Sequence, residues 1–216
     1  MLPEKFVVTI GRTYGSGGRI LGRMIAERLG IGFYDKELLV KAAEKAGFSH
    51  AFVEEGDERP PKLLGGIIPF SMGFYPMSWV GGDAGTSTSD SIYKAQCDFM
   101  LELASREACV IVGRSADYVL RNMPNIVNIF VHATPEACAD RIVKRNEARN
   151  HAEAVSLAER TNKLRANFYN FYTDKRWGDS RSYHLCFDSE VMKLEDIADM
   201  VITYLEKRFG AKASQE

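Results

Sequence analysis

Apolar residues fall along this chain in two alternating patterns. Phe6-Val7-Val8-Thr9-Ile10 is a near-continuous apolar run that stops at Gly11. Cys109-Val110-Ile111-Val112 stops at Gly113, and Ile126-Val127-Asn128-Ile129-Phe130-Val131 stops before Thr134-Pro135. Short unbroken runs of this kind suit strands covered on both faces of a parallel sheet. Between them the apolar positions recur with helical spacing. Ile20, Leu21, Met24, Ile25 and Leu29 share one face, with Gly30 as a stop. Asp35 reads as the N-cap of a helix carrying Leu38, Leu39, Ala42, Ala43 and Ala46, closed by Gly47. Ile92, Phe99, Met100 and Leu103 mark a third helix. Thr134-Pro135 starts a fourth, because proline at the first helical position loses no needed hydrogen bond. Leu194, Ile197, Ala198, Val201, Ile202 and Leu205 form the packing face of a last one. Strands alternating with helices predict an α/β fold with a parallel sheet and right-handed crossovers.

Two stretches break the alternation. Residues 56–90 are rich in glycine, proline and serine yet carry Phe70, Phe74, Tyr75 and Trp79, which predicts a partly ordered flap rather than a linker. Residues 136–176 are helical and basic. There Arg141, Arg145 and Arg149 recur every four residues, which predicts one shared helix face.

Composition narrows the classes without choosing among them. The 216 residues are 45% hydrophobic and 26% charged, as in folded proteins. Twenty-eight Lys and Arg against 29 Asp and Glu leave a formal charge of −1, so no global nucleic-acid-binding face is indicated. No run has the length of a membrane span, and the N-terminus lacks the pattern of a signal peptide, so a cytoplasmic protein is expected. Cys97, Cys109, Cys138 and Cys186 lie far apart without ligand spacing, which sets a thiolate metal site aside. Cys109 and Cys186 sit in apolar runs and are expected as buried small hydrophobes.

The chemistry concentrates at Gly11-Arg12-Thr13-Tyr14-Gly15-Ser16-Gly17-Gly18-Arg19, between the first strand and first helix. Glycines there aim backbone N–H groups at one point, and the helix N-terminus adds its positive end, so the turn suits a phosphate. It departs from the usual G-x-x-x-x-G-K-[ST] loop. Counted from Gly11, Ser16 holds the place of the second glycine, and Gly18 and Arg19 stand where a lysine is due. A dinucleotide fingerprint fits less well, because its third glycine falls on Ile20. At the end of a buried strand, where open α/β sheets bind ligands, stand Gly113 and Arg114, followed by Asp117.

These segments together, with Phe33-Tyr34-Asp35-Lys36-Glu37-Leu38, Val110 to Leu120, and Arg165-Ala166-Asn167-Phe168-Tyr169 running on to Trp177-Gly178-Asp179, resemble the cytidylate kinase-like family. That family is a branch of the P-loop nucleoside monophosphate kinases, and the resemblance covers nearly the whole chain. It implies one three-layer α/β/α domain over residues 1–216. It implies a five-stranded parallel sheet, an acceptor-side insertion at 56–90 and a helical lid at about 136–176. It also implies ATP and Mg²⁺ and a small acceptor such as CMP, with no nucleic-acid or membrane partner.

On this reading Arg12, Gly15, Ser16, Gly17, Gly18 and Arg19 hold the ATP phosphates. Arg19 or Arg12 replaces the missing lysine charge, and Ser16 is the hydroxyl placed for Mg²⁺, with no protein cluster for a metal. Arg145 and Arg165 are the lid arginines that, with Arg19, neutralise the transferring group. Arg114, Asp117 and Asp35 face the acceptor. Asp117 orients Arg114, contacts an acceptor sugar or merely starts a helix; Asp35 orients the attacking phosphate or merely caps one. Asn167, Phe168, Tyr169, Phe171 and Tyr172 are expected to pack the lid on the body. Two functions stay open: a phosphotransferase, and a nucleotide-binding module that kept the fold without the chemistry.

Overall fold

A computed structural model describes residues 2–35 and 88–210. The expected helix from Leu38 to Gly47 and the 56–90 flap up to residue 87 lie outside the described residues.

Five parallel strands form one sheet in the order β2-β3-β1-β4-β5: β1 (Val7–Arg12), β2 (Gly32–Tyr34), β3 (Cys109–Val112), β4 (Ile126–His132) and β5 (Leu185–Asp188). The central strand β1 pairs with β3 (Val7 opposite Cys109) and with β4 (Val7 opposite Ile126). Because side chains alternate along a strand, its apolar run divides between two layers. Val8 and Ile10, with Val110, Val112, Val127, Ile129 and Val131, pack under α1 (Gly18–Leu29) and α6 (Leu194–Gly210) through Leu21, Ile25, Ile197, Val201 and Leu205. Val7, Cys109, Ile111 and Ile126 face the other way, against Phe99, Met100 and Leu103 of α2 (Thr88–Arg106) and Ala116 and Val119 of α3 (Ala116–Val119). The chain is thus a three-layer α/β/α sandwich. The last residues of the expected flap, 88–90, belong to the first turn of α2.

The edge strands β2 and β5 were not marked by apolar runs, since none of their residues is fully buried. Cys186 on β5 corrects the expectation of burial: it is exposed, whereas Cys109 on β3 is buried and its thiol is pushed up to about 12 by burial.

The basic tract is a helix hairpin rather than one helix. α4 (Pro135–Lys144) starts at Thr134, whose side chain accepts from Ala137 N, and ends at Arg145. Asn146 then takes a left-handed φ of +59°, and Asn150 caps α5 (His151–Thr173) by accepting from Glu153 N at 2.9 Å. The shared face expected for Arg141, Arg145 and Arg149 is therefore corrected. Only Arg141 lies within α4, and Arg149 lies in the connecting turn, where it pairs with Glu153 at 3.0 Å. The hairpin has its own small core of Ala139, Ile142, Ala148, Ala154 and Ala158, against which Tyr14 of the glycine-rich turn packs. Phe168 and Tyr169 are buried as expected, and Tyr172 stacks on Tyr93 of α2 with ring centroids 3.7 Å apart. Phe171 is 50% exposed and meets that packing only through the Tyr172 ring, edge-on with centroids 5.0 Å apart. Among the described residues no helix is long and apolar enough to cross a membrane.

Candidate active site

The glycine-rich turn leaves the C-terminal end of β1 at the middle of the sheet, where all five strands point the same way. Gly15 and Gly17 both take φ +84°, a conformation that glycine adopts without steric cost. Gly15 has a second reason to be glycine: a Cβ there would lie 2.7 Å from Cys138 O. Three turn amides are used internally, Thr13 N to Val131 O at 3.0 Å, Ser16 N to Thr13 O at 3.3 Å and Tyr14 N to the Asn162 side chain at 2.7 Å. The amides of Gly15, Gly17 and Gly18 meet no acceptor among the described residues. They stand at the uncapped N-terminus of α1. An array of N–H groups at a helix N-terminus is an anion-binding cradle.

The cradle is braced from behind. Arg141 of α4 donates to Ser189 O at 2.6 Å, to Ser189 Oγ at 3.1 Å and to Gly15 O at 3.5 Å. Ser189, buried just after β5, donates its hydroxyl to Ser16 O at 2.6 Å. Asn162, Arg141 and Ser189 were not singled out as site residues in the sequence. Each is an ordinary polar residue far from the glycines in the chain, so only the fold brings them together.

A cleft of about 380 Å³ lies over the cradle, lined by Arg12 to Gly15, Gly17 to Ile20, Asp35, Val112, Arg145, Glu147 and Arg165. Arg19 donates its Nε to Asp35 at 2.6 Å, and that carboxylate is almost fully buried. Arg145 makes a two-pronged pair with Glu147, both bonds at 3.0 Å, and Tyr14 Oη donates to the same carboxylate at 2.8 Å. Burial pushes the Glu147 carboxyl up, but the bonds from Arg145 and Tyr14 outweigh it and hold it below its ordinary value. Glu147 thus stands as an internal counter-ion in the cleft. Ser16 is the exception among the expected residues: it is fully buried and its hydroxyl donates to Thr13 O at 2.9 Å, so it does not face the cleft. The expected direct Mg²⁺ contact from Ser16 is corrected accordingly. Among the described residues no group of three or more His, Cys, Asp or Glu side chains is placed to hold a metal.

A much smaller pocket of about 30 Å³ opens beside the cleft, between Thr9, Gly113, Arg114, Ser115, Asp117, Phe168, Tyr169, Trp177 and Tyr183. Arg114 is only 5% exposed, so it is no surface cap of β3. The backbone puts it there: Gly113, Arg114 and Ser115 turn in succession through φ +82°, +59° and +53°. Asp117 accepts from Tyr169 Oη at 2.7 Å. Burial pushes its carboxyl above the ordinary range, against that hydrogen bond, which pulls it down. The three residues expected to face an acceptor are therefore split. Arg114 and Asp117 line the smaller pocket, while Asp35 lines the cleft with Arg19.

Arg12 and Arg165 line both spaces. Arg165 reaches from α5 to donate to Arg12 O at 3.2 Å, and its guanidinium lies 5.3 Å from the centre of the Tyr14 ring. Two adjoining hollows, one floored by amides and one walled by side chains that include Arg114 and Asp117, share two guanidinium groups at their junction.

A phosphate cradle at the centre of a parallel sheet, under a helix hairpin, defines the P-loop kinase fold. The chain belongs to the cytidylate kinase-like family, whose model matches residues 7–191. Among solved structures it is similar to an uncharacterized protein from Eubacterium ventriosum ATCC 27560, with 24% identity and TM-score 0.69. That match covers 94% of this chain and 99% of the other. It is similar in fold to a gluconokinase from Sinorhizobium meliloti 1021, at 18% identity and TM-score 0.53, with 98% of each chain covered. A shikimate kinase from Bacteroides thetaiotaomicron aligns at 14% identity and TM-score 0.53, over 93% of this chain and 98% of that one. No curated protein matches the chain.

Proposed function

We propose that this protein is an ATP-dependent phosphotransferase acting on a nucleoside monophosphate of the CMP type or on another small acceptor of comparable charge. The observation that carries this reading is the junction itself. An amide cradle and a pocket with a buried arginine meet at two shared guanidinium groups, Arg12 and Arg165. The cradle and α1 bind the β- and γ-phosphates of ATP. Arg114 binds the acceptor phosphate, and Asp117, held by Tyr169, orients the rest of the acceptor. In the transfer the bond from the γ-phosphorus to the bridging oxygen breaks and one to an acceptor oxygen forms, giving ADP and the phosphorylated acceptor. Such a transition state needs little covalent help from the protein. It needs alignment and cations around the equatorial oxygens, and the helix hairpin brings Arg145 and Arg165 as a lid.

Mg²⁺ supplies charge neutralisation when ATP carries it. The described residues do not form a direct site for the ion, since Ser16 is turned inward and Asp35 is engaged by Arg19. Both side chains keep structural tasks instead. Ser16 ties the turn to itself, and Asp35 holds Arg19 beside the cleft.

The test is ADP release measured against a panel of nucleoside monophosphates and non-nucleotide hydroxy acids. Turnover with one acceptor class, lost in Arg114→Ala, supports the reading. ATP binding without phosphorylation of any acceptor replaces it with the nucleotide-binding module.

A further inference from the structure

Phosphate loops of this kind usually carry a lysine immediately after the last loop glycine. In this chain Gly18 follows Gly17, and the geometry there is closed to any side chain. A Cβ on Gly18 would lie 2.7 Å from Arg12 Cβ and 3.2 Å from Arg12 Cγ. The space is thus taken by the stem of Arg12, which approaches from the end of β1. At its far end the Arg12 guanidinium lies across Gly113, where a Cβ would meet Nη1 in hard overlap and Cζ at 3.0 Å. Two glycines, distant in sequence, form a slot with the shape of one arginine. Arg19, the other basic residue near the missing lysine, points instead to Asp35 and is half exposed.

We infer that Arg12 is the relocated loop cation, and that its guanidinium, held in the slot between Gly18 and Gly113, grips the transferring phosphoryl group of a nucleoside triphosphate. The slot fixes the guanidinium where the cleft and the smaller pocket meet. An ammonium on a flexible stem after the loop is replaced by a planar fork held from two sides, which grips two phosphate oxygens at once. Gly18 and Gly113 share one reason to be glycines, since each leaves room for the same side chain; Gly113 also takes φ +82°. This inference rests on the phosphotransferase reading only as far as nucleotide binding.

The test measures binding of a non-hydrolysable ATP analogue by calorimetry, so it reads Arg12 whether or not any acceptor is phosphorylated. Arg12→Ala is expected to weaken binding about 10- to 100-fold, as for loss of a charge-assisted hydrogen bond. Gly18→Lys alone is expected to weaken it too, because the stem of Arg12 occupies the space. Arg12→Gly combined with Gly18→Lys returns a cation to the usual place and is expected to recover most of the affinity. In the wild-type protein, ATP is expected to protect Arg12 from phenylglyoxal, mapped by mass spectrometry, which keeps the question answerable if a variant fails to fold. Wild-type affinity in Arg12→Ala, a double variant no better than Arg12→Ala, or labelling of Arg12 unchanged by ATP would each overturn the inference. If Arg12 behaves as inferred while no acceptor is ever phosphorylated, only the kinase reading falls.

Discussion

The two hollows that meet at Arg12 and Arg165 are made of different material. The cleft is floored by backbone: the amides of Gly15, Gly17 and Gly18 and the end of α1. The smaller pocket is walled by side chains, among them the buried Arg114 and the half-buried Asp117, with Tyr169, Tyr183 and Trp177 around them. Backbone amides present the same donors whatever the side chains are, so the cleft reads charge and little else. Buried ionic side chains cost free energy unless partnered, so their arrangement is worth keeping only where it discriminates. On the proposed function the amide floor makes the cleft the general half of the site, and the side chains of the pocket make it the selective half.

The sharpest way to break this contrast is Arg114→Ala. It is expected to lower turnover with a monophosphate acceptor by about 100- to 1000-fold, the range for losing one preorganised donor, with ATP affinity nearly unchanged. Equal losses for ATP and acceptor, by calorimetry beside steady-state kinetics, would merge the two halves.

Arg141→Ala tests the cleft from behind, since it removes the donor to Ser189 O and Gly15 O without touching the cradle's amides. ATP affinity is expected to fall about tenfold, by loss of a charged hydrogen bond that holds the turn. Acceptor affinity should stay as it was. An unchanged titration would mean that the turn keeps its shape without this brace.

Asp117→Asn probes the cost of the selective half. The folded-state pKa of Asp117 is raised above 3.8, so the folded protein binds the proton more tightly than the unfolded chain does. Its ionisation therefore costs nothing well below pH 3.8 and destabilises increasingly as pH climbs through the folded pKa. The amide variant, still able to accept from Tyr169 Oη, is expected to show a higher urea midpoint at pH 7 and the same midpoint at pH 3. A lower midpoint at pH 7 would show that the carboxylate has a partner worth more than its burial costs.

The smallest effect is expected from Glu147→Gln, which weakens the two-pronged hold on Arg145. Freed of its internal counter-ion, Arg145 should bind ATP about two- to threefold more tightly at low salt, in keeping with an ion pair near the surface. An unchanged affinity at low salt would take Arg145 out of the nucleotide-binding half.

How much of this was readable from the residues alone follows the depth of burial. The runs at Val7, Cys109 and Ile126 announced β1, β3 and β4 because both faces of those strands are covered. β2 and β5 carry half-buried residues at the sheet edges, and their short stretches have no such signature; the five-strand count came from the family resemblance. Gly15, Gly17 and Gly18 were legible as a phosphate turn because glycine clustering is local. The division of Arg114 and Asp117 from Asp35 was not, since it depends on the register of β3 beside β1. The regular spacing of Arg141, Arg145 and Arg149 misled, because the two asparagines that end one helix and cap the next, Asn146 and Asn150, outweighed it. Arg12 stood in the motif throughout, but its slot exists only once Gly113 lies beside it.

The turn after β3 has a consequence for heat resistance. Arg114 and Ser115 both sit in left-handed backbone, which costs a residue with a Cβ about 1–2 kcal/mol each. The Ser115 hydroxyl is buried and finds no hydrogen-bond partner among the described residues. At position 114 the strain is inseparable from the guanidinium it aims. At position 115 the side chain adds a second unfavourable feature and carries no charge. Ser115→Gly removes both the steric conflict and the unsatisfied oxygen, so it should raise the melting temperature while Arg114 keeps its place. A hardier form of this protein is within reach of one substitution that alters no ionic group in the site.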